Sequence, residues 1–175
     1  SRWALSSVAQ KVLRAAYLPV FIVRSYKPIG DAPEVSYRRI AVPLDGSRRA
    51  ESALPAAVSL AQAAGAELVL LSVIRRPEFP DAGPLTGELE ELVDRLMVEL
   101  HRAYEAYLST VSQRLTVSTR TCVVEEPSII AALQDLCEAQ QIDLVVLCAH
   151  GHASRGTHPY GAFARYAIED GTMPL

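Results

Sequence analysis

From Leu5 onward the apolar residues Val8, Ala9, Val12, Leu13 and Ala16 recur every three or four positions, the period of one helix face. Pro19 stops that helix, and Val20–Val23 follows as a short β-branched and aromatic run. The pattern predicts a helix and then a strand over residues 1–24. Residues 25–37 hold two prolines, a glycine and charges of both signs, and read as a linker to a second unit over 38–175.

That unit alternates two periods. Arg39–Leu44 is a short apolar run that ends in Asp45-Gly46-Ser47, where Gly46 permits a tight turn and Ser47 can cap a helix. Ala50, Leu54, Ala57, Val58 and Ala61 then form a helical stripe closed by Gly65, with Pro55 predicting a kink or a late start. Leu68–Ile74 is apolar almost throughout, as expected of a strand covered on both faces of a parallel sheet. After a Pro-rich loop over 76–85, a long amphipathic helix is expected from Glu88 to Leu115, its apolar side formed by Leu89, Leu92, Leu96, Leu100, Tyr104, Leu108, Val111 and Leu115. Val117–Val124 reads as a strand, and Pro127 opens a helix with Ile129, Ile130, Leu133, Leu136 and Cys137 on one face. Asp143–Ala149 reads as another strand, 150–160 as a polar loop and 161–169 as a last helix. Strands and helices in alternation imply an α/β fold built on a parallel sheet.

The two chain ends repeat one another. Leu5–Val20 aligns without a gap with Tyr160–Leu175, so that Ala9 meets Ala164, Pro19 meets Pro174, Leu13 meets Ile168 and Val8 meets Phe163. Residues 1–24 therefore read as the closing helix and strand of a preceding domain, and 38–175 as a domain lacking most of its own last strand. A linker stretched to about 43 Å would let Val20–Val23 reach the vacant sheet edge beside residues 144–149, within the chain or from a neighbouring one.

Composition narrows the function. The 175 residues are 50% apolar and 21% charged, as in a globular domain rather than a disordered chain. A net charge of -3 with only two lysines, Lys11 and Lys27, provides no basic footprint for nucleic acid. Cys122, Cys137 and Cys148 are odd in number and widely spaced, which fits a reducing, cytoplasmic compartment better than a disulfide framework. Lys11, Arg14 and Pro19 interrupt the apolar start, so neither a membrane span nor a signal peptide is indicated. No Walker A, GxGxxG or GxSxG sequence is present, and no catalytic residue stands out.

The runs Arg39–Ser47, Leu71–Ile74 and Asp143–Gly151, with Leu5–Ala9 and Pro19–Val23 as a closing helix and strand, resemble the universal stress protein family. The resemblance implies an open, mostly parallel five-stranded sheet with helices on both faces, Rossmann-like in plan, that often pairs with a second copy through the last strand. Members that bind nucleotide carry Gly, two residues, Gly, nine residues, then Gly followed by Ser or Thr. Carried over, Gly151 and Gly161 take the second and third glycine positions, Cys148 the first, and Ala162 the hydroxyl position. Pro43 and Asp45 fall at the end of the first strand, and Val73 where backbone would meet adenine. At the other end of the chain, Ser6 stands at the third glycine and Ser7 keeps the hydroxyl.

An Asp at a strand's carboxyl end can accept ribose hydroxyls, and backbone N–H groups near Gly151 and Gly161 can approach phosphate. Cys148 adds a side chain where close approach is wanted, and Ala162 removes a donor, together enough to weaken binding about tenfold or more. Asp45 fits turn chemistry equally well. His150, His152, Arg155 and His158 either meet phosphate or are simply solvated, and their spacing indicates no metal site. The expected function is a stress-response module with weak or degenerate binding of ATP or another adenine nucleotide, Mg²⁺ entering only with it. The alternative is a nucleotide-free interaction or dimerisation domain. Slow ATP hydrolysis has no candidate base.

Overall fold

β1 (Arg39–Pro43) runs through the interior of a parallel sheet, its three middle residues buried. The computed structural model describes residues 7–16, 18–22, 36–77, 79, 86–126, 128–149, 164 and 167–168. Within them β1 lies between β2 (Glu67–Ile74) and β4 (Leu144–Val145), and β3 (Thr119–Glu125) pairs with the far side of β2, giving the order β3-β2-β1-β4. Among the described residues no fifth strand joins this sheet.

The helices follow from that order. They are α1 (Ser7–Ala15), α2 (Arg48–Glu51), α3 (Leu54–Ala64), α4 (Gly87–Gln113) and α5 (Ile129–Ala139). Right-handed crossovers place α3 and α4 on one face while the chain steps from β1 to β2 to β3. They place α5 on the other face once the chain doubles back past β1 to make β4. Ile40, Val42, Leu68, Leu70 and Leu144 accordingly pack with Ala57, Ala61, Leu108 and Val111. Ala41, Val69, Leu71 and Val145 turn the opposite way onto Leu136 and Cys137. Every buried strand thus spends its apolar residues on two cores, which is why these runs show no alternation.

Pro55 marks a late start, as one of the two expectations had it. α2 ends in a turn at Ser52 and Ala53, and α3 begins with Pro55 in its first turn, where a missing N–H costs nothing. Gly65 closes α3 at φ +64°, its N–H donating to the Ala61 carbonyl.

Three readings need correction. In α4 the buried residues are Val93, Met97, Leu108 and Val111, so the expected stripe holds at Leu108 and Val111 but not at Leu92 and Leu96, which are 57% and 45% exposed. Both rows have helical spacing, and only the angle at which α4 lies on β2 and β3 decides between them. Residues 20–22 form no strand, and the Phe21 ring instead meets Tyr37 edge-on at 6.0 Å between centroids. A strand exists only where another strand satisfies its backbone. β4 is also shorter than residues 143–149, for a reason that lies in β1. The final helix is seen at Ala164, Ala167 and Ile168, all helical and buried, while the loop over 150–160 lies outside the described residues.

Candidate functional site

In β1 the two sets of backbone groups face different neighbours. Even-numbered residues bond β2: the Arg38 carbonyl accepts from Glu67 N–H, and Leu44 N–H donates to the Leu71 carbonyl at 2.7 Å. Odd-numbered residues bond β4, with Asp143 N–H donating to the Arg39 carbonyl and Val146 N–H to the Ala41 carbonyl, both at 2.9 Å. The next donor toward β4 would be the nitrogen of Pro43, which has no hydrogen. The β1–β4 ladder therefore stops at Val146, and Leu147–Ala149 carry no strand structure. Pro43 leaves the β2 side intact because its nitrogen faces the other way.

This parting occurs at the topological switch point, between the strands at which chain order reverses, and at their carboxyl ends. A crevice belongs there in an open α/β sheet. The chain leaving β1 is held firmly. Asp45 Oδ1 accepts from Ser47 N–H at 3.0 Å, Gly46 sits at φ +79°, and Ser47 Oγ accepts from Ala50 N–H at 3.1 Å to cap α2. A side chain at Gly46 would meet no atom within 4 Å, so it is the left-handed backbone that requires glycine there. Beneath the turn, buried Ser72 donates its hydroxyl to the Leu44 carbonyl at 2.8 Å and ties the loop to β2.

α4 braces the same loop from the side. Glu51, at the end of α2, accepts from the Tyr107 hydroxyl at 3.2 Å and from the Arg114 guanidinium at 2.9 Å. Burial pushes the Tyr107 phenol well above its ordinary range, and the negative charges of Glu51 and Asp45 add to the effect while Arg114 opposes it. The hydroxyl is a fixed donor at any physiological pH. At the opposite, amino end of the sheet, Asp143 Oδ2 accepts from both Arg38 and Arg39 N–H groups at 2.7 and 2.9 Å, so β1 and β4 are tied together there, whereas their pairing stops at Val146 at the other end.

The sequence profile of the universal stress protein family matches residues 36–175. The chain belongs to the universal stress protein family. No curated protein matches it closely enough to count. Among solved structures, universal stress protein UspA from Lactobacillus plantarum is 23% identical with a TM-score of 0.65, over 77% of this chain and 92% of that one. A hypothetical protein solved as a structural-genomics test case of function assignment is 22% identical with a TM-score of 0.66, over 80% and 94% of the two chains. A universal stress protein from Archaeoglobus fulgidus DSM 4304 is 18% identical with a TM-score of 0.50 over 97% of this chain and 52% of its own. At these identities the likeness concerns the fold.

In this universal stress protein, four of the seven positions carried over from the family pattern fall within the described residues. Pro43 and Asp45 lie at the carboxyl end of β1, and half-buried Cys148 lies past the carboxyl end of β4. Val73 lies on β2 two residues beyond Leu71, the partner of Pro43, and packs with the α5-side core. All four thus stand at one end of the sheet. Gly151, Gly161 and Ala162 lie outside the described residues. For Asp45 the turn chemistry is present, and its Oδ1 is engaged in it. Sequence reasoning missed the exposed Arg48 and Arg49, which open α2, and the exposed Arg75, which follows β2 directly. Their signal was positional, since each comes just after a strand end or its turn. The described residues contain no cluster of side chains able to hold a metal ion.

Proposed function

We propose that this universal stress protein is a stress-response regulatory module that takes ATP or another adenine nucleotide, weakly, in the crevice between the carboxyl ends of β1 and β4. The parting of those strands at Pro43, with the Asp45 turn on its lip, is the observation that supports the reading most. In this reading Asp45 receives the ribose through its carboxylate, Val73 offers backbone to the base, and Cys148, Gly151, Gly161 and Ala162 border the phosphates. Arg48, Arg49 and Arg75 add positive charge to the rim, and Mg²⁺ arrives only with the nucleotide. A cytoplasmic setting agrees with three free cysteines. No helix among the described residues is long and apolar enough to cross a membrane.

The test is calorimetric titration of the purified protein with Mg·ATP beside analysis of the nucleotide released on heating. The expected result is measurable binding that Asp45→Ala weakens about tenfold or more, while Ser47→Ala, which removes the α2 cap but keeps the carboxylate, weakens it far less. Equal loss in both variants assigns Asp45 to the turn alone. No binding at millimolar ATP favours the other reading, an interaction module that self-associates through the sheet edge beyond β4. One observation speaks for that alternative, since among the described residues β4 pairs on its β1 side only.

A further inference from the structure

Among the described residues β3 pairs with β2 alone, in one unbroken parallel register from Leu68 opposite Thr119 to Ile74 opposite Glu125. Leu68 N–H donates to the Ser118 carbonyl at 2.9 Å and Glu126 N–H to the Ile74 carbonyl at 3.1 Å, so the even-numbered residues of β3 turn their backbone groups toward β2. The backbone groups of Thr119, Thr121, Val123 and Glu125 point the other way and meet no partner among the described residues. Open sheet edges are ordinarily blunted by Lys, Pro, a bulge, a very short strand or a covering element. β3 is seven residues long, without Lys, Pro or a bulge. Arg120, the charge nearest its middle, is turned back over its own sheet, where the guanidinium donates to Glu67 Oε2 and Gln140 Oε1, both at 3.2 Å.

We infer that β3 is a self-pairing edge, and that its occupant is β3 of a second copy of this chain, antiparallel to it across a two-fold axis normal to the sheet. Such an axis returns each face of the sheet to itself, so helices covering the α4 side of one copy continue those of the other. One register satisfies every outward-facing residue. Thr119 lies opposite Glu125 and Thr121 opposite Val123, each pair exchanging two hydrogen bonds, and Cys122 meets its own counterpart on the axis. A shift of two residues in either direction leaves Glu125 or Thr119 beyond the end of the opposing strand. In the full register Arg120 faces Val124, and no like charges are opposed. The side chains agree with the backbone. Cys122, Val123 and Val124 are only half-buried within one copy. The second copy covers them, setting Thr121 against Val123 on the α4 side and the aliphatic stem of Arg120 against Val124 on the α5 side. This edge is the opposite one from that beyond β4, so association through the two can be told apart.

Sedimentation velocity and residue-resolved hydrogen exchange on the native polypeptide, over a dilution series, test this directly. The expected result is a dimer that dissociates on dilution. The amides of Thr121 and Val123 should exchange about tenfold or more slower in the dimer than in the diluted monomer, while those of Arg120, Cys122 and Val124 stay slow throughout. Thr121→Pro removes an outward N–H and leaves the β2 ladder its donors. It should sediment as a monomer in which β1 and β2 keep their protection, whereas Thr121→Ala, which retains the N–H, should remain a dimer. A polypeptide that is monomeric at every concentration overturns the inference. A dimer that survives Thr121→Pro also overturns it, by putting the interface elsewhere. So does protection of Thr121 and Val123 that dilution leaves unchanged, which makes the occupant part of the same chain. The dilution series needs no variant and decides the matter even where Thr121→Pro does not fold.

Discussion

At the scale of single residues, the side chains that matter most are small and buried. Ser72 is the one buried polar residue among the described residues, and its hydroxyl is spent on the Leu44 carbonyl, one residue before Asp45. Cys137 shows the same economy with sulfur. Burial on the sheet-facing side of α5, helped by the neighbouring Glu138 charge, pushes its thiol from 9.0 up to about 12, and burial also raises the half-buried Cys122. Since only the thiolate reacts, Cys137 in the folded protein at pH 8 should be modified by a disulfide reagent about a thousandfold more slowly than a free thiol, the ratio that the two pKa values imply. The linkage has a definite sign. A thiol whose folded pKa exceeds its unfolded one stabilises the fold fully below pH 9, and that contribution is lost as pH rises from 9 toward 12. Urea midpoints at pH 7, 9 and 10 should therefore fall, and Cys137→Ala should flatten the part of the fall due to this thiol. Equal slopes with and without the thiol would show that Cys137 is not protonated by the fold.

At the scale of elements, α4 shows how a helix can carry two apolar rows and bury one. Val93 and Met97 pack with Ile74, and Leu108 and Val111 continue the row toward the chain's main core. Leu92 and Leu96 lie on its flank. Met97→Ala should destabilise the protein by about 2–4 kcal/mol, as expected for emptying a packed site. Leu96→Ala, although it removes a similar volume, should cost less than about 0.5 kcal/mol. Urea unfolding with unchanged m-values distinguishes the two, and comparable losses would mean that Leu96 is buried in solution. Arg76, just past β2, pairs with Asp94 on the same helix, but both groups are exposed and an ion pair of this kind contributes little.

At the scale of the molecule, one missing hydrogen shapes the sheet. The Asp143 carboxylate holds β1 and β4 together at their amino ends, and Pro43 ends their ladder at the other. Pro43→Ala supplies the absent donor and should let the two strands pair further. Exchange of the amide introduced at position 43 should then be as slow as that of Val42. Rapid exchange there would show that β4 diverges for some other cause, such as the path imposed by residues beyond Ala149. Because the candidate crevice lies between these strands, the same variant should narrow it.

Much of this was legible along the chain. The continuous runs at 39–44 and 68–74 could only be strands with two covered faces, Gly65 and Ser47 announced helix ends through their local chemistry, and the family resemblance followed from the strand-to-Asp-Gly-Ser start. Such features depend on neighbours in sequence, and the sequence by itself determined them: the α/β class, the order of elements and the membership of the universal stress protein family. Other features depend on partners far along the chain, and only the tertiary structure decided them. Leu96 and Met97 are equivalent to any periodicity, and the docking angle of α4 alone exposes one and buries the other. Val20–Phe21 has the composition of a strand and pairs with no strand among the described residues. Pro43 reads as the end of β1 in the sequence, yet its effect falls on β4, about a hundred residues away, because the direction in which a backbone nitrogen points acquires meaning only when a second strand lies there to receive it.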